Sequence, residues 1–317
     1  MVEMMSNTSI VIPVYNDSQG IRDTLDSILE NTKGYPEIIV VDNNSTDETP
    51  RMIHKYVDRH DHIHLYFERD LQSSYAARNT GIEYATGDVI VFLDADQTVT
   101  ESWLSDALEQ RRKRGAHYFA PDVQLTAPED ANIAGRYNYL TGFPIEEFIR
   151  NQSFAPTACL FVTRSLISDV GKFDERLISG GDKEFGNRVA NAGYELRYEP
   201  SVVVYHPVRN NLRSLVKRNV RIGRGHCQLQ QYHPDRYGRV GIPPRPSGIH
   251  SGQLGTKRAV KNSNYDRCSR SSRVTTESTQ GLERILLSVL AVMMTITRGL
   301  GYYMECAELV VRCVRGK

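Results

Sequence analysis

Cysteine and tryptophan are scarce in this chain of 317 residues: there are five cysteines and one tryptophan, Trp103. Cys159, Cys227, Cys268, Cys306 and Cys313 are odd in number, scattered, and contain no C-x-x-C pair. That excludes a disulfide framework and a cysteine zinc site, and it fits a reducing compartment. No G-x-G-x-x-G or glycine-rich N-terminal nucleotide loop is present, which removes the dinucleotide-binding and nucleotidyltransferase patterns. The opening stretch MVEMMSNTSIVIPVYN lacks a basic region followed by an apolar one, so no secretory leader is expected. Nor is there an excess of one charge, with 39 Lys and Arg against 38 Asp and Glu. The local exception runs from Arg236 to Gly281, where nine basic residues face two acidic ones. This stretch has neither interleaved aromatics nor a nucleic-acid fold motif, so nucleic acid is not expected as a partner.

What is present is an alternation of apolar runs and helical patterns. Ser9–Val14 reads as a first strand, stopped at Tyr15-Asn16, and Ile21, Leu25, Ile28 and Leu29 follow at helical spacing. Glu37–Val41 is a second strand, and Glu48 opens a helix carrying Met52, Ile53 and Tyr56. Ile63–Phe67 is a third strand, a helix begins at Ala76, and Val89–Leu93 is a fourth strand. Uninterrupted apolar runs suit strands buried on both faces, and the alternation predicts a doubly wound, mixed but mostly parallel sheet with helices on both sides. Strands resume near His117–Leu125, at Cys159–Val162 and at Val202–Val204, while residues 129–155 read as irregular and rich in aromatics.

Chemistry collects where strands end. Asp94 and Asp96 follow the fourth strand in GDVIVFLDADQ, and period 2 turns both carboxylates to one side. Hard oxygen donors there suit Mg2+ or Mn2+ bridging phosphates, against a plain reading as an Asp-rich turn. Asp182 follows Gly180-Gly181 and suits either a general base or a helix N-cap; Glu184 is the second candidate base. His206, after the last strand, suits either a metal ligand or a structural histidine. Leu212–Tyr232 is a basic amphipathic helix whose arginines, Arg221 and Arg224 among them, suit a pyrophosphate clamp, anionic headgroups or a merely solvated face.

The motifs IPVYN, VVDNNSTDET, AARNTGI, FLDAD and FDERLISGGDKEF, in that order, resemble the nucleotide-sugar domain of family 2 glycosyltransferases, inverting enzymes of the GT-A fold. The resemblance covers roughly the first two thirds of the chain. It implies that Pro13, Tyr15 and Asn16 floor the base, that Asp42 accepts its N–H, and that Arg78 steadies the nucleotide near Asp94. It implies further that Asp94 reaches the ribose, that Asp96 binds the metal with His206 and Asp94 as partners, and that Asp182 deprotonates the acceptor. Two departures stand out: Gln97 where many relatives carry a further acid, and Gly181 where they carry Glu. The Q-x-x-R-W arrangement of processive relatives is absent, so one sugar per acceptor is expected.

The expected organisation is a GT-A domain over 1–235, with a nucleotide-sugar half to about 100 and an acceptor half beyond it. A flexible basic linker over 236–280 and a membrane-associated tail over 281–317 follow. Ile285–Thr297 is uncharged but shorter than the ~20 residues a span needs, so docking on the cytoplasmic face of the cell membrane is expected. The expected donor is a UDP-linked sugar, the expected cofactor Mn2+ or Mg2+, and the expected acceptor a glycan or polyprenyl-linked oligosaccharide. The rivals are a polyprenyl-phosphate sugar synthase, in which Asp182 is dispensable, and a catalytically silent scaffold.

Overall fold

A computed structural model of the chain describes residues 7–241 and 277–315. Cys268 and most of the basic stretch lie outside these residues. The described chain forms two compact units, Met1–Thr126 with Gly142–Pro207, and Ala127–Thr141 with Val208–Lys317. The chain passes between them at 126/127, 141/142 and 207/208.

The first unit is an α/β sheet. Its strands are β1 (Thr8–Val14), β2 (Glu37–Asp42), β3 (Ile63–Phe67), β4 (Val89–Leu93), β5 (Thr98–Val99), β6 (Tyr118–Thr126), β7 (Cys159–Thr163) and β8 (Leu196–Pro207). They lie in the order β3-β2-β1-β4-β7-β6-β8-β5. β1 pairs in parallel with β2 and β4, and β2 with β3, so their carboxyl ends meet at one edge. β7 runs antiparallel to β4 and β6, which gives the mixed sheet. Ile10, Val11, Ile12, Ile39, Val40 and the whole of β4 are buried, as continuous apolar runs require in a sheet covered on both faces.

The covering helices are α1 (Ser18–Asn31), α2 (Thr49–Val57), α3 (Ser74–Tyr84) and α4 (Trp103–Arg114). Asp17 caps α1 by accepting from Gly20 N at 2.9 Å, and Ser73 caps α3. α2 begins at Thr49, whose N–H is taken by Asp47 at 2.9 Å. Residues 129–155 are not irregular: they hold α5 (Ile133–Thr141) and α6 (Ile145–Gln152). Their aromatics serve packing in part, with Phe148 stacked on Phe154 at 5.0 Å. α7 (Arg164–Val170) and α8 (Gly181–Asn191) complete this unit.

The second unit is helical. α5 packs with α9 (Leu212–Tyr232) and α11 (Glu277–Arg315) around Ala134, Leu215, Leu290 and Met294, and the short α10 (Pro234–Tyr237) follows α9. A Cβ on Gly223 would meet the Arg298 carbonyl oxygen at 1.9 Å, and one on Gly301 would meet that of Val220 at 2.1 Å. α9 and α11 therefore touch backbone to backbone. Beside this crossing Cys227 Sγ and Cys306 Sγ lie 3.1 Å apart as thiols.

α11 continues past Arg298 and runs for 39 residues, and the part from Glu283 to Arg312 is long and apolar enough to cross a membrane. Arg298 does not interrupt it, because its guanidinium donates to Asn219 Oδ1 at 2.9 Å on α9.

Candidate functional site at the carboxyl edge of the sheet

Asp42 is the last residue of β2, 2 % exposed, and opposite Val14 of β1. Its Oδ2 accepts from Ser45 N at 3.1 Å, while Oδ1 is buried without a hydrogen-bond partner. A buried carboxylate oxygen left open is costly unless a donor arrives from outside the chain. Asn16 holds the neighbouring loop in place. Its backbone lies at φ 49°, its N–H donates to Ser45 Oγ at 2.9 Å, and its Oδ1 accepts from Thr46 N at 2.7 Å. Pro13 pairs with Val41 inside the sheet, and Tyr15 stands exposed beside it.

Arg78 is buried on α3, behind Ala76 and Ala77, whose small side chains let the helix lie close to the sheet. Its Nη2 donates to Asp94 Oδ1 at 2.7 Å, and its Nη1 to the Ser74 carbonyl at 3.1 Å. Nε has no partner. Gln97 is fully buried, and its Oε1 accepts from Asp94 N at 3.3 Å, so it closes the turn that presents the D-x-D pair.

Asp96 faces His206, with Oδ1 to Nε2 at 3.5 Å. His206 Nδ1 lies 2.8 Å from the Pro207 carbonyl, an acceptor only, so Nδ1 carries a proton and in the neutral ring Nε2 offers a lone pair. A neutral imidazole lone pair beside a carboxylate fits a divalent cation. Asp94 is engaged by Arg78 instead, and no group of three metal-ligating side chains exists among the described residues. The donor set present is therefore one carboxylate and one imidazole, which leaves the remaining positions to water or phosphate oxygens.

Asp182 is not the N-cap of α8. Gly180 takes that place, and Asp182 is the second helical residue. Its Oδ1 accepts from Lys183 N at 2.9 Å and from the Tyr75 hydroxyl at 3.4 Å. Burial raises its pKa above the usual carboxylate value, opposed by the Lys183 N–H, the nearby Arg78 charge and Tyr75. Tyr75 also lies under Arg78, with the guanidinium carbon 5.9 Å from the ring centre. Glu184 points inward, 1 % exposed, and both its oxygens accept from Arg188 Nε at 2.8 and 2.9 Å.

Arg221 and Arg224 belong to the second unit. Arg224 donates through Nε to Glu305 at 2.6 Å and through Nη2 to Glu308 at 2.7 Å, whereas Arg221 is exposed. Sequence reading missed Tyr75, Asn43 (whose buried Oδ1 also lacks a partner) and the turn-closing role of Gln97. Only Tyr75, three residues before Arg78 and hence on its helix face, left a trace in the spacing.

A model of the family "Glycosyl transferase family 2" matches residues 9–170. Glycosyltransferase AglE of Haloferax volcanii is 34% identical over 231 residues, covering 72% of this chain and 76% of that one. A pre-mycofactocin glycosyltransferase of Mycobacterium tuberculosis is 32% identical over 73% of this chain, which spans 49% of that relative. In fold the chain resembles the mannosyltransferase PcManGT of Pyrobaculum calidifontis, solved with GDP-Man and Mn2+. That structure gives a TM-score of 0.59 at 17% identity, covering 94% of this chain and 86% of that one. A GT-A sheet, a D-x-D turn at its carboxyl edge and these matches together make the chain a member of glycosyltransferase family 2.

Proposed function

We propose that this enzyme transfers one sugar, with inversion, from a nucleoside-diphosphate sugar to a hydroxyl of a lipid-linked glycan at a membrane surface. The observation that carries this reading is Asp182, a half-buried carboxylate whose pKa desolvation raises, in the same electrostatic neighbourhood as Arg78, which holds Asp94. A base adjoining a nucleotide cradle is what a single displacement needs. Asp182 takes the acceptor hydroxyl proton, the freed oxygen bonds to the anomeric carbon, and the bond to the diphosphate breaks, releasing the nucleotide. Glu184 is neutralised by Arg188, which leaves the base role to Asp182.

Asp42 Oδ1 accepts the ring N–H of the base, a group that uracil and guanine share. A UDP-linked donor is the first expectation; the GDP-Man in the Pyrobaculum structure makes GDP sugars the second to try. Asp96 and His206 would hold a Mn2+ or Mg2+ ion, which would supply positive charge against the diphosphate leaving group. Pro13, Tyr15 and Asn16 shape the floor of the base site.

The membrane reading rests on α11. Leu287, Leu290, Met294 and Tyr302 are buried within the second unit, while Ile285, Val289, Val292, Ile296, Leu300 and Tyr303 form an exposed apolar stripe at helical spacing. A helix already packed along one side and bare along the other suits docking lengthwise on the cytoplasmic surface. Its length no longer argues against a span; its buried face and the buried Glu305 do.

The test is nucleotide release from a panel of UDP and GDP sugars with Mn2+, with and without a membrane extract supplying acceptor. Release that rises with extract supports the transfer. Binding of nucleotide and metal without release from any sugar leaves only the silent scaffold. Full activity of Asp182→Asn on a lipid phosphate points to the polyprenyl-phosphate sugar synthase.

A further inference from the structure

Arg218, in the first third of α9, is a half-buried cation. The charged groups facing it are Arg209, Arg221 and Arg298, with the Tyr137 phenol beside them, and no carboxylate of the described residues pairs with it. Burial first, and then these three like charges, lower its pKa to about 10, so it stays charged at neutral pH. The Tyr137 phenol lies in the same place: burial raises its pKa, and Arg298 and Arg218 pull it back down.

These groups are placed by structure. Arg209 has its backbone N–H held by Asn138 Oδ1 at 2.8 Å. Arg298 is anchored through Nη2 on Asn219, yet its Nε is buried and donates to nothing. The same pair of helices neutralises an arginine elsewhere, since α11 sets Glu305 and Glu308 against Arg224. Less than two turns earlier on α9 the facing residue of α11 is Arg298, another cation. Like charges gathered this way work against folding unless an anion joins them. Guanidinium forks match phosphate oxygens two at a time, which a lysine cluster does not do. Arg209 and Arg221 are exposed, so the cluster is open to solvent on their side.

We propose that Arg218, Arg209, Arg221 and Arg298 form an anion site for a phosphate or diphosphate ester, filled by the phosphate group of the lipid-linked acceptor. The assignment to acceptor rests on the transfer proposed above, whereas the site itself does not. Such a site holds the lipid by its headgroup independently of the sugar chemistry at the sheet edge.

The experiment uses the full chain in detergent and reads binding rather than turnover. Thermal stability is followed with inorganic pyrophosphate, and flotation with phosphatidylcholine vesicles that are plain, or carry phosphatidylserine or polyprenyl phosphate. Arg218→Gln is compared with Lys55→Gln, which removes one exposed charge from the first unit. Wild type is expected to gain stability with pyrophosphate and to float with polyprenyl-phosphate vesicles at least about tenfold better than with the other two. Arg218→Gln is expected to lose both effects without losing stability, because a like-charge contact is relieved, while Lys55→Gln keeps both. Unchanged pyrophosphate and vesicle binding in Arg218→Gln overturns the site. A pyrophosphate response with no preference for polyprenyl phosphate keeps an anion site but overturns the lipid. Nucleotide release from a donor sugar, measured on the same samples, reports separately on the catalytic reading.

Discussion

The ring of Tyr75 fills the space that a side chain on Gly181 would need: a Cβ there would meet three of its ring carbons at 2.8 Å. Tyr75 in turn donates to Asp182 and lies against Arg78. The small residue that departs from the family pattern and the tyrosine that reaches the carboxylate are thus one packing arrangement. Gly181→Ala is expected to cost ~1–3 kcal/mol by over-packing, about 2–4 °C per kcal/mol in a domain of this size. Turnover falls with it, because Tyr75 must turn away from Asp182. Restored stability in Tyr75→Ala/Gly181→Ala, measured by thermal unfolding, checks the cause; equal losses in the single and double variants contradict it.

Asp182 ties activity and stability to pH with opposite signs. Its pKa in the fold lies above the unfolded value, so between the two the folded chain binds more protons. Stability from this group is present at low pH and is lost as pH rises through the raised pKa. Asp182→Asn removes that loss and is expected to unfold at the same or a higher temperature at pH 7. Its turnover is expected to drop by ~100-fold or more with donor affinity kept. The acid limb of the wild-type rate profile is expected above the ordinary carboxylate range. A profile flat through that range argues against the base.

At Asp42 the expectation concerns the nucleotide alone. Asp42→Asn keeps an oxygen for Ser45 N but turns an amide N–H toward the base. A hydrogen bond to a charged group is worth ~1.5–3 kcal/mol, so UDP affinity should fall roughly ten- to hundredfold in titration calorimetry. An unaltered affinity assigns the open oxygen to water.

For the metal, Asp96→Ala and His206→Ala are each expected to bring UDP-sugar affinity in Mn2+ down to that of wild type in EDTA. Equal wild-type affinities in Mn2+ and EDTA contradict the metal role.

Local pattern was enough for β3, β4 and α9, whose residue bounds match the sequence reading, because each is a compact apolar or amphipathic run with its own stop signal. It failed where a distant partner decides. Arg224 reads as free for a phosphate, but its carboxylates come from 81 and 84 residues away. Arg298 reads as the end of an apolar run, but its Nη2 donates to Asn219 and the helix continues. Asp182 suits a cap by residue type, yet Gly180 at φ 85° caps the helix two residues earlier. Asp96 and His206 were linked through family resemblance; nothing in the spacing places them 3.5 Å apart.

The glycine contact between α9 and α11 bears on how the chain can be shortened. With Gly223 and Gly301 admitting backbone against backbone, α11 covers α9 the way a third helix completes a bundle. Cutting the chain after Gln280 therefore strips the lining from Leu215 and Cys227 and leaves Arg224 without Glu305 and Glu308. A shortened enzyme is expected to aggregate rather than to become more soluble. A detergent-solubilised full chain is the form in which donor chemistry can be measured, and mutations that polish the exposed stripe (Val289→Ser, Ile296→Ser) are the gentler route to a protein that stays in water.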